Sequence, residues 1–169
     1  MNNILFSNTY LKKQGMIKCF RGYCNIFAET LSNFMYESLK DNNSISLCLE
    51  RAYFYDPQMC KNAVGYIHEY LCVNNKDIKL YVDIRGIYDN FEDFMNNFII
   101  YDKKYYKPQK HRKIYTSSYY SVSKYGLLSP DDIVLFWDEI DNVSSFSKSC
   151  SWISKHGENY LNGVLDKIA

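Results

Sequence analysis

Apolar residues in this chain change their spacing from one stretch to the next, and that change limits the fold more than any motif does. Over 21–39, Tyr23, Phe27, Thr30, Leu31, Phe34, Met35 and Leu39 recur every three or four positions. That spacing builds one buried stripe on a helix. Asp41, Asn42, Asn43 and Ser44 then break the pattern with turn formers. Over 44–50 the period drops to two. Ile45, Leu47 and Leu49 point one way, and Ser46, Cys48 and Glu50 the other, as on a half-buried strand. The same alternation returns over 78–84, with Ile78, Leu80, Val82 and Ile84 against Lys79, Tyr81 and Asp83. A short strand start is also expected over residues 4–6.

Between those strands, Asp56-Pro57 reads as a cap and first helical position. The stripe Cys60, Ala63, Val64, Ile67 and Leu71 then predicts a helix that ends at Asn74-Asn75. After Gly86, Asp89 or Asn90 caps a short helix bearing Phe91, Phe94, Met95, Phe98 and Ile99. Ser129-Pro130-Asp131-Asp132 starts another helix, bearing Ile133, Phe136, Trp137 and Ile140. A following helix carries Phe146, Cys150 and Ile153 and stops at Lys155-His156-Gly157. A last one carries Leu161, Val164, Leu165 and Ile168. Strands interleaved with helices, then a helical C-terminal third, predict an α+β fold with a small sheet packed against several helices. The 169 residues suit one globular domain over 1–169.

Composition narrows function mainly by exclusion. Seventeen Tyr and ten Phe beside two Trp give a core and surface rich in rings. The net charge of +1 argues against a chain that binds nucleic acid over its whole surface. No basic segment followed by an apolar run opens the chain, and no apolar stretch reaches membrane length. A cytoplasmic location without membrane contact is therefore expected. Its six cysteines, Cys19, Cys24, Cys48, Cys60, Cys72 and Cys150, then read as reduced, small hydrophobes.

No paired metal-ligand spacing is present. His68 and Cys72 stand four apart on the expected helix, Cys19 and Cys24 are poorly spaced, and neither pair makes a zinc site. No metal and no cofactor is expected. Phosphate-loop, dinucleotide and hydrolase-elbow motifs are absent. Thiol catalysis needs a Cys beside a His and an orienting carboxylate. Six Cys with His68, His111 and His156 allow many such sets and single out none.

Charge is segregated along the chain. The segment 101–125 holds seven cations (Lys103, Lys104, Lys107, Lys110, Arg112, Lys113 and Lys124) against Asp102 alone. Tyr105 and Tyr106 are among its seven tyrosines. Cations for phosphate and rings for bases suit single-stranded nucleic acid. A solvated loop or a lysine-protected edge strand has the same composition. A metal-independent nuclease using His111 with Lys110, Lys113 and Tyr115 is the enzymatic variant. Asp131, Asp132, Asp138, Glu139 and Asp141 form an acidic face suited to a basic protein surface. Together these features lead to the expectation of a non-enzymatic protein that binds and neutralises another protein, as an immunity protein or antitoxin does a toxin domain. The alternatives are nucleic-acid binding or cleavage through 101–125, and a viral protein that modulates a host partner.

Overall fold

The computed structural model describes residues 3–20, 23–55, 64–95, 113–121 and 140–169. It is an α+β fold in which helices pack on an antiparallel sheet. In chain order the elements are β1 (Asn3–Ile4), α1 (Asn8–Lys13), α2 (Ile17–Phe20), α3 (Cys24–Leu39), β2 (Ile45–Tyr55), β3 (Val64–Asn75), β4 (Ile78–Asp83) and β5 (Gly86–Tyr88). A helical stretch over 91–95, α4, follows, then β6 (Lys113–Ser121) and the 29-residue α5 (Ile140–Ile168). The strand order is β1-β5-β4-β3-β2-β6, and all neighbours run antiparallel.

The helix read over 21–39 is present as α3. Phe27, Thr30, Leu31, Met35 and Leu39 are its buried stripe. Its Glu29 sits beside Arg51 and Glu69, which places α3 against the sheet face carrying Leu49 and Leu71. That face continues through Leu47, Val73, Leu80, Val82 and Ile87, all buried. Trp152, Ile153, Tyr160 and Val164 of α5 join the same core. Tyr160 ties α5 to the sheet: its hydroxyl donates to the Ile84 carbonyl (2.8 Å) and accepts from the Trp152 indole (3.1 Å).

The opposite face is the one expected to meet water, and it is covered too. Phe91 and Phe94 of α4 lay their rings on Tyr70 and Tyr81, with centroids 4.7–6.5 Å apart. Glu50 and Cys72 are thereby buried.

Two helix expectations are corrected. Residues 64–75 form β3, not the second half of a helix. Every residue from His68 to Val73 is buried because neighbouring strands flank β3 and both sheet faces are covered. A strand buried on both faces loses its period of two, so its apolar residues fell by chance on a helical stripe. The turn Asn74-Asn75 is real, but it closes a hairpin: Asn75 pairs with Ile78, and Lys76 takes φ 49°. The second correction is at Gly157, where α5 runs straight through. A Cβ there would stand 2.8 Å from the Phe34 ring. The glycine lets α3 and α5 approach instead of ending a helix.

Residues 113–121, the C-terminal part of the basic segment, form the edge strand β6. The expected helix starts at 56–57 and 129–132 lie outside the described residues. Among the described residues no helix is long and apolar enough to cross a membrane.

Candidate active site

Three chain segments converge at the first turn of α3. Cys24 is the first residue of that helix, after the N-cap Tyr23. Its Sγ accepts a hydrogen bond from the Glu69 backbone N–H of β3 (3.4 Å). The preceding residue on β3, His68, lies near enough to Cys24 for the two side chains to interact electrostatically. The His68 Nε2 donates to Asp83 Oδ2 at the end of β4 (2.9 Å). Thiol, imidazole and carboxylate thus lie side by side, and all three are buried.

The β4–β5 turn fixes the far end of this cluster. Asp83 pairs with Gly86, leaving Ile84 and Arg85 as a two-residue connection. Gly86, at φ 153°, takes a backbone conformation that suits glycine. Asp83 Oδ1 accepts from the Arg85 N–H (2.8 Å) and Nε (3.1 Å), and Oδ2 accepts from Nε (2.9 Å) and Nη2. Arg85 Nη2 also donates to the Phe94 carbonyl (3.4 Å), and the guanidinium lies over Tyr88 and Phe94, 5.3 and 5.2 Å from the ring centroids.

Electrostatics follow from that geometry. Burial alone pushes the Asp83 carboxyl up, but the Arg85 charge and the His68 bond outweigh it and hold the carboxyl well below its ordinary range. Burial pulls His68 down, yet hydrogen bonds and charges from Asp83 and Cys24 raise it overall. The N–H groups at the very start of α3 lack intrahelical partners, and the positive end of the helix dipole lies at Cys24. Tyr23 contributes no side-chain cap to them.

Of the residues singled out in the sequence, few fall inside the described part. Asp131, Asp132, Asp138 and Glu139 lie outside it, as do Lys103, Lys104, Tyr105, Tyr106, Lys107, Lys110, Arg112 and His111. Asp141 is in the first turn of α5, and Lys113 opens β6. The His68–Cys72 pair does not survive as a helical pair, because four residues of strand separate Cα atoms by about 13 Å. His156 of α5 packs among Phe6 and Trp152 rings.

Cys24, His68 and Asp83 are each visible in the sequence, but no spacing joins them. The signal that points to them is a carboxylate and an arginine, Asp83 and Arg85, buried at the end of an apolar strand. Such burial is costly unless the charges have a task or a partner. Comparison with family models, with curated proteins and with solved structures finds no match, so the geometry alone carries the reading.

Proposed function

We propose that this chain is a thiol-dependent acyl-transfer enzyme, with Cys24 as nucleophile, His68 as general base and acid, and Asp83 as the orienting carboxylate. The single observation behind this is the buried cluster of Cys24, His68 and Asp83 at a helix N-terminus, with His68 bonded to Asp83. A thiol near a base that a carboxylate orients has the recognisable parts of an activated nucleophile.

The chemistry runs in two steps. His68 takes the Cys24 proton, and Sγ forms a bond to the carbonyl carbon of an ester or amide. The first-turn N–H groups of α3 hold the resulting oxyanion. His68 then gives its proton to the departing oxygen or nitrogen as that bond breaks. In the second step water loses a proton to His68 and attacks the thioester, and the Cys24 thiol is restored. With Nε2 on Asp83, Nδ1 is the ring nitrogen through which His68 would take the thiol proton. Arg85 is a positioning residue: it keeps Asp83 ionised and aimed. The acidic residues 131–141 and the basic segment 101–125 are assigned in this reading to recognition of substrate or partner.

The test uses an activated acetate ester with the intact protein. A burst of leaving group equal to the protein concentration, with the acetyl group mapped to Cys24 by mass spectrometry, is expected. Cys24 is only 4 % exposed, so circular dichroism must show the acylated protein still folded. His68→Ala should slow acylation about 10²–10⁴-fold, the usual worth of a general base. A burst that persists in Cys24→Ala, or an acetyl group on another cysteine, would refute the assignment.

A further inference from the structure

A second cluster of reactive side chains occupies the sheet face under α4. Cys48 and Cys72 are directly opposite each other in the β2–β3 register. Glu50 is two residues along β2 from Cys48 and therefore on the same face. One ligand atom from each of the three lies within 4.8 Å of the other two. Glu50 and Cys72 are buried, whereas Cys48 is half-buried. Cys48 also lines an open cavity of about 490 Å³ at the α3–β2 connection, together with Tyr36, Lys40, Ser46 and Asn74.

We propose that Cys48, Glu50 and Cys72 bind a divalent thiophilic cation, with zinc as the type, entered from that cavity and leaving a fourth position to water. Tetrahedral zinc holds thiolates at about 2.3 Å and a carboxylate oxygen at about 2.0–2.2 Å. Donors around such an ion therefore sit about 3.5–3.8 Å apart, from those bond lengths and the tetrahedral angle. The observed separations need to contract by no more than about 1.3 Å to reach those distances; Cys48 Sγ, for example, is 4.0 Å from Glu50 Oε1.

The surroundings fit a cation as well. Lys79 Nζ donates to Glu50 Oε1, and its side chain is 40 % exposed. The ammonium is a positive charge already held at the site and able to swing into solvent when a dication arrives. Tyr70 donates to the other Glu50 oxygen (3.3 Å), and Asn74 Nδ2 to Cys48 Sγ (3.7 Å). These are the outer contacts that orient metal ligands. Thiols give up their protons to a metal, so binding should release protons and strengthen as pH rises. No spacing motif announces the site, because strand register rather than sequence distance brings the donors together.

Cobalt(II) and zinc(II) titrations of the reduced protein test this, carried out in the Cys24→Ala background so that the thiol of the candidate active site cannot contribute. One cobalt per chain is expected, with a near-ultraviolet sulfur-to-metal charge-transfer band that zinc abolishes. Cys48→Ser and Glu50→Gln should each weaken binding at least tenfold. Lys79→Gln, which removes the competing cation, should tighten it several-fold. Cys48 is half-buried and Lys79 exposed, so folding is not the issue for those two variants, and circular dichroism checks Glu50→Gln. Absence of the band, a band unaffected by Cys48→Ser, or metal uptake lost in Cys24→Ala alone would overturn the proposal. So would affinity that falls in Lys79→Gln.

Discussion

Glu29 offers a quantitative test of how tightly α3 is pressed against the sheet. Burial pushes its carboxyl up to about 8 from an ordinary 4.5, the nearby Glu69 adds to this, and Arg51 partly offsets it. Glu69 itself is buried and bonded to Arg51 (2.9 Å), so Arg51 cannot fully serve both acids. A carboxyl raised in the folded state binds its proton more tightly there than in the unfolded chain. Its contribution to stability is complete below pH 4.5 and is lost as pH rises towards 8, after which the loss is constant. The full span is about 3.5 pKa units, or about 5 kcal/mol at 1.36 kcal/mol per unit. Coupling with Glu69 lowers that figure, so about 2–5 kcal/mol is expected, a large part of a typical domain's stability of about 5–15 kcal/mol. Glu29→Gln keeps the shape and removes the charge. Urea unfolding of both proteins from pH 5 to 9 should give nearly equal stability at pH 5. The variant should then gain steadily, up to about 1.4 kcal/mol per pH unit, until about pH 8. A difference that does not change with pH would show that Glu29 is not desolvated by the sheet, and would refute this packing of α3.

Two further outcomes follow from the same contacts. Asp83→Asn leaves Arg85 buried without its carboxylate, so stability should fall by about 3–5 kcal/mol in thermal or urea unfolding. Because Asp83 is held below its ordinary range, its contribution is present above pH 3.8 and lost on acidification, so the deficit of the variant should shrink as pH drops below about 4. Gly157→Ala should destabilise by about 1 kcal/mol, since overpacking against the Phe34 ring costs about 1–3 kcal/mol and the better helix former returns about 1. Phe34→Leu in the same chain should recover that loss, read as a return of Tm.

Much of the secondary structure was legible because it is local. The stripe of α3, the alternation of β2 and β4 and the cap at the start of α4 each depend on residues a few positions apart. Asn90 shows the last of these, its Oδ1 accepting from the Asp93 N–H (3.0 Å). The α+β class followed from those pieces. The capped turn that starts α1 was overlooked, although Ser7 accepts from the Tyr10 N–H there (3.2 Å). The short strand β5 was overlooked as well; three residues are too few to show a period.

What tertiary structure alone decided is everything that depends on neighbours distant in sequence. β3 became a strand because chain segments on both sides supplied backbone partners and cover for both faces, which no window of its own sequence records. α5 passed through Gly157 because the ring of Phe34 occupies the space a side chain would need. The candidate active site exists because a helix start, a strand centre and a strand end meet at Cys24, His68 and Asp83. There the charges and hydrogen bonds among His68, Asp83 and Arg85 outweigh burial and set the proton affinities of His68 and Asp83. Cysteine count and histidine count were readable from the chain, but which thiol faces which imidazole is a property of strand register and helix placement. The same holds for Cys48 and Cys72, brought opposite each other by the β2–β3 ladder.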